Sequence, residues 1–206
     1  MSTSADPRPG RRSEPRERLL ATASGLFYAE GIGSVGVNRI VSESKVTLAT
    51  LYRHFPGKDD LVVAYLRGVH DAIAARMGEL AARREGEELV RAIGKEVAAE
   101  IGRPGFRGCA FINAASEYED AASPVRQVVA EHRAWYFDAV RAAFAQAGHR
   151  LPGNAARHFL MLRDGAMTAG YLDGTTIARR TFHRGVEGLL RSAELEPADA
   201  REDDEA

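Results

Sequence analysis

From Pro15 to Ser192, apolar side chains return every three or four residues, and no segment alternates for long enough to make a strand. A period near 3.6 gathers those side chains on one helix face, which must be buried against other helices, so the chain reads as all-α. Leu19, Leu20, Ala23, Leu26 and Phe27 define a first helix that Gly31 stops. Patterns at Val37, Ile40 and Val41, and at Leu48, Leu51, Tyr52 and Phe55, give a short second and third helix, closed by Pro56 and Gly57. Asp59 and Asp60 open a long fourth helix toward Leu80, where carboxylates meet the positive end of the helix dipole. A fifth helix is expected over Glu87 to Ile101 and a sixth around Cys109 to Tyr118, with Arg103, Pro104 and Gly105 between them. The seventh is the clearest: Ser123 is its N-cap, Pro124 takes the first helical position, and the apolar stripe runs on through Phe144 to Gly148. Two more, about Asn154 to Tyr171 and Thr175 to Ser192, are parted by Asp173 and Gly174, making about nine helices.

With 206 residues, 45% of them hydrophobic, the chain can bury one sizeable core or a small domain beside a larger one. No apolar run is long enough for a bilayer span, and the first twenty residues lack the apolar centre of a signal peptide, so a cytoplasmic protein with no membrane partner is expected. Cys109 is the one cysteine, which excludes an intrachain disulfide and a Cys-rich metal site. The net charge of −1 hides an asymmetry, because seven acids face one base between Glu194 and Ala206 and the remainder is net positive. Residues 194–206 are expected to be an acidic disordered tail and residues 1–15 a disordered basic arm. The arm's Arg8, Arg11 and Arg12 are either phosphate or minor-groove contacts or an inert tail.

Residues 37–58, VNRIVSESKVTLATLYRHFPGK, read as helix, short turn, helix, stop. A helix-turn-helix needs apolar residues at the crossing and polar ones on the outer face of its second helix. Ile40, Val41, Val46, Leu51 and Phe55 can pin the crossing, and Thr47 can cap the second helix. Leu48, Ala49, Thr50, Tyr52, Arg53 and His54 then divide between groove and core.

The run Thr50-Leu51-Tyr52-Arg53-His54-Phe55-Pro56-Gly57-Lys58, together with GLFYAEGIGSVGVNRI before it, resembles the tetracycline repressor (TetR) family. The distinctive motifs cover about residues 17–66, and the GCAFINAASEY stretch matches more loosely. The resemblance implies a helix-turn-helix DNA-binding domain over 16–62, then a ligand-binding and dimerisation domain over 63–193. It implies that Thr47 and Thr50 meet phosphate or base edges, that Tyr52 and His54 reach the backbone, and that Lys58 meets a phosphate. Leu48 and Ala49 then face the major groove, where apolar contact with thymine methyls would carry readout. Arg39 on the second helix is a further phosphate candidate. The implied partners are a palindromic double-stranded DNA operator, a second copy of the chain and a small, apolar or aromatic effector that releases the repressor from DNA; no cofactor is implied.

Phe106, Phe111, His132, Trp135, Tyr136, Met161 and Met167 are candidate effector contacts, although aromatic and Met residues at helical spacing are more often plain core. Asn113 and Glu117 join them, because polar groups on an apolar face need partners. A small residue lets helices approach closely, so Gly165 and Ala169, with the apolar Phe182, Val186, Leu189 and Leu190, are the expected dimer contacts. Other motifs carry less. Gly31, Gly33 and Gly36 spell a dinucleotide-binding pattern but follow a helix where that fingerprint needs a strand. Of six histidines only His183 has a carboxylate, Glu187, four residues on, and two ligands do not make a metal site. Cys109 reads as a small core residue, with redox sensing the alternative. A bundle enzyme would need a clustered titratable set that the sequence does not show.

Overall fold

A computed structural model describes residues 13–192, so the acidic tail and the expected basic arm as far as Arg12 lie outside the described residues, while Glu14 and Pro15, expected in that arm, are helical. Among the described residues there are nine helices and no strand: α1 Glu14–Glu30, α2 Val37–Ser44, α3 Leu48–His54, α4 Lys58–Ala81, α5 Gly86–Ile101, α6 Ala110–Glu117, α7 Pro124–Gln146, α8 Pro152–Leu172 and α9 Thr175–Ser192. The fold is all-α in two compact units divided between Tyr65 and Leu66, inside α4, against the expected boundary at 62/63. No helix among them is long and apolar enough to cross a membrane, and among the described residues no group of three or more His, Cys, Asp or Glu could hold a metal ion.

In the N-terminal unit, α1 packs on α2 and α3. Leu19, Ala23, Ile40, Leu51 and Leu61 are fully buried, each of the larger ones contributing roughly 1.5–3 kcal/mol through burial. Phe27 and Tyr65 close this core with ring centroids 5.9 Å apart. At Gly31 φ is 91°, and its N–H donates to the Phe27 carbonyl, so the glycine ends α1 and has no dinucleotide role in an all-helical setting.

The C-terminal unit is built by α5, α7, α8 and α9 packing on one another, with α6 laid on α7. Phe144, Phe159 and Phe182 run through its centre edge to face, 6.3 Å and then 5.6 Å between centroids. Gly170 and Gly185 are small for an internal reason: a Cβ would stand 2.7 Å from Ile101 Cγ2 at the first and 2.9 Å from Leu162 Cδ1 at the second.

Candidate nucleic-acid interface

The turn between α2 and α3 is built from backbone geometry. Lys45 is left-handed, φ 54° and ψ 44°, and the only non-glycine residue with positive φ among those described. That conformation costs a residue with a Cβ roughly 1 kcal/mol. Ser44, buried at the end of α2, donates from Oγ to the Ile40 carbonyl at 2.6 Å. Thr47 then caps α3: its Oγ1 accepts from Thr50 N–H at 3.2 Å and lies 2.9 Å from Thr50 Oγ1. No side chain caps α2 at Gly36.

With Leu51 and Phe55 buried beneath it, α3 turns the opposite face to solvent. Leu48 is 41% exposed and Tyr52 48%, while Ala49 and Arg53 also lie outward. Four residues apart, Leu48 and Tyr52 lie side by side on the helix, and adjoining exposed apolar groups mark an interaction surface where a single one would not. Two cations join this face, both exposed and without an ion pair among the described residues: Lys45 in the turn, which the sequence reading left out of the site, and Arg53 beside Tyr52, which it left open between groove and core. Helical spacing was the signal for Arg53, because positions 48, 49, 52 and 53 share one side of a helix.

Two expected contacts also have partners within the unit. Arg39 forms ion pairs with Glu30 and Glu43, donating from Nη2 to Glu30 Oε1 at 2.8 Å and from Nε to Glu43 Oε1 at 2.7 Å. The guanidinium beside Glu30 holds that carboxyl below its ordinary pKa. Arg39 therefore ties α1 to α2 through exposed ion pairs. His54 is half-buried, its Nε2 3.3 Å from Ser13 Oγ, at the start of α1. Beside it Arg16 lies over the Phe55 ring at 5.0 Å. Lys58 opens α4, half-buried.

The proposed effector residues separate into a cluster and outliers. Phe111 and His132 stack with centroids 3.6 Å apart and planes 2° from parallel, with Trp135 and Tyr136 around His132. His70 of α4, which sequence reasoning missed, meets this cluster: its Nδ1 is 3.0 Å from His132 Nδ1. Burial first, then Arg163, His70 and Arg133, push His132 down to about 3, so it is neutral. Met167 is buried and Phe106 half-buried beside Gly170. Met161 is 72% exposed and Glu117 is exposed, so neither lines an interior cavity. Asn113 spends its amide on the Arg107 carbonyl, 2.9 Å away, which answers the demand for a partner without a ligand. A cavity of about 460 Å³ does exist, but between α4 and α5 and lined by charge, including Arg76, Arg83, Arg84 and Lys95.

The family model described as bacterial regulatory proteins, tetR family, matches residues 19–65. An uncharacterized HTH-type transcriptional regulator of Bacillus subtilis, YxaF, is 43% identical over 53 residues, 25% of this chain and 28% of that protein, so the match spans under a third of the curated relative's length. The crystal structure of a TetR-family transcriptional regulator from Streptomyces coelicolor is 49% identical, with 88% of this chain and 97% of that one covered and a TM-score of 0.85. The chain belongs to the TetR family. A second structure, a TetR transcriptional regulator from Streptomyces avermitilis, superposes with a TM-score of 0.78 at 25% identity, covering 90% of this chain and all of the other. This TetR protein is thus a DNA-binding transcriptional regulator, and its relatives are named for regulation, not catalysis.

Three of the six residues expected to join two TetR subunits point the other way. Phe182, Val186 and Leu190 are buried in the chain's own core, Val186 lying against Gly94 of α5. The periodicity of α9 identified an apolar face correctly, but that face is inward. Outward apolar residues stand on α8, with Met161, and Leu172 at 70% exposed, on one stripe with Gly165 and Thr168, and at the start of α9, where Ile177 is exposed. A Cβ on Gly165 would meet nothing within 4 Å, while Ala169 and Leu189 are half-buried.

Proposed function

We propose that the protein is a ligand-responsive repressor that binds a palindromic operator as a twofold dimer. The observation that carries the reading is the outward face of α3, where Leu48, Ala49, Tyr52 and Arg53 stand exposed on a helix pinned by Leu51 and capped by Thr47. Leu48 and Ala49 offer methyl groups to thymine, and Tyr52, Arg53, Lys45, Lys58 and the Thr47-Thr50 hydroxyls offer donors to phosphate. One α3 reads too few base pairs for specificity, and two related by a dyad, roughly 34–36 Å apart, read enough. The stripe Met161, Gly165, Thr168 and Leu172 on α8 supplies apolar surface for pairing.

The effector acts through the cluster of α6, α7 and α8. The His70–His132 hydrogen bond joins that cluster to α4, the helix that Lys58 begins directly after the reading helix. A molecule that moves His132 moves α4, with a coupling of about 1–3 kcal/mol in typical allosteric proteins. Sedimentation of the full chain, alone and with a palindromic fragment of its own upstream DNA, tests the reading. A dimer binding one palindrome, released by at least one compound of a metabolite panel that also raises Tm, is expected. A monomer that binds a half-site as tightly as the whole overturns it.

A further inference from the structure

Arg163 occupies the inward stripe of α8 with Phe159, Ala166 and Gly170, and is only 7% exposed. Its Nη1 donates to Asp164 Oδ1 at 2.8 Å and its Nη2 to Cys109 Sγ at 3.4 Å, and its guanidinium carbon stands 5.1 Å from the centre of the Tyr136 ring. Its Nε–H is buried with no hydrogen-bond partner. Asp164 cannot balance the charge alone, because its other oxygen accepts from Arg133 Nη1 at 2.7 Å. Two guanidiniums therefore share one carboxylate, beside a neutral His132. A buried cation that shares its one carboxylate with a second guanidinium and an unmet N–H both cost stability. One anion from outside would relieve both, and the planar fork of arginine suits a carboxylate.

We infer that the effector is an aromatic carboxylic acid whose carboxylate is received by Arg163 and whose ring lies against Tyr136 and the Phe111–His132 stack. The inference rests on reading the C-terminal unit as the sensor. Because Phe111 and His132 are already in face contact, the entering ring displaces one of them, and the His70 hydrogen bond transmits the displacement to α4. Cys109 serves as a weak acceptor that gives way to the stronger carboxylate.

The test uses the full chain, with benzoate, 2-naphthoate and indole-3-acetate as probes, each paired with its primary amide, and calorimetric titration as the readout. At least one acid should bind, with its amide roughly 10- to 100-fold weaker. Arg163→Met leaves Asp164 its ion pair with Arg133, so the variant should keep the helical spectrum, and it should lose the same factor for the acid but not the amide. The inference is overturned if no acid binds, if acid and amide bind alike to the unaltered chain whatever the variant does, or if Arg163→Met binds the acid as before. Operator binding measured in parallel separates the two failures. Retained operator binding without Arg163-dependent acid binding sinks this inference alone, and absent operator binding sinks the repressor reading.

Discussion

In the N-terminal unit the residues that carry chemistry, Leu48, Tyr52 and Arg53, stand in solvent above a core of Ile40, Leu51 and Phe55. In the C-terminal unit Arg163, His132 and Tyr136 are buried among phenylalanines. The first arrangement separates function from stability, because the core does not lean on Leu48, Tyr52 or Arg53. The second couples them, since a buried polar group both specifies the packing and waits on a partner. Substitutions should therefore divide along the same line.

The largest expected effect is in the C-terminal core. Phe182→Ala removes a buried ring between α8 and α9 and should cost about 3–5 kcal/mol, read as a lower urea midpoint. A cost under about 1 kcal/mol would mean that α9 packs its face elsewhere, as in a subunit contact. Leu51→Ala should cost about 2–5 kcal/mol in the N-terminal unit and abolish DNA binding with it; a variant that still binds DNA at full stability would refute its role as a pin.

A smaller effect separates the units by pH. The unfolded chain protonates His132 near its ordinary pKa of 6.5, while the folded chain refuses that proton down to about 3. Its contribution to stability is therefore full above the unfolded value and is lost as pH falls toward 3. Urea melts at about pH 7.5 and about pH 5 should show a loss that His132→Asn reduces. An equal loss in the variant would assign the pH dependence to another group. The smallest effect is at the turn: Lys45→Gly relieves a left-handed Cβ and should raise Tm by the equivalent of about 1 kcal/mol. A lower Tm would show that Lys45 contributes more than conformational cost.

The helix order and nearly every boundary were legible because capping and turn residues act locally. Ser123, Pro124, Thr47 and Gly31 do in the structure what their chemistry implies. The outer face of α3 was legible for the same reason, since a short helix with buried Leu51 has one way to turn. Partnerships across the fold were not. Nothing near Arg39 in sequence says that Glu30, from another helix, takes its charge, and periodicity marks an apolar face on α9 without saying whether the chain or a second copy covers it. Arg163 was nearly legible, as the charged member of the stripe Phe159, Ala166 and Gly170.

The most direct test of the central claim is fluorescence anisotropy of the full chain on its own upstream DNA against a scrambled duplex, at several salt concentrations, for the unaltered protein and for Tyr52→Ala. Binding should be selective, should weaken steeply as salt rises, and should fall by roughly tenfold in Tyr52→Ala at unchanged Tm. Equal affinity for the two duplexes, or an affinity indifferent to Tyr52, would contradict the assignment of α3 as the reading helix.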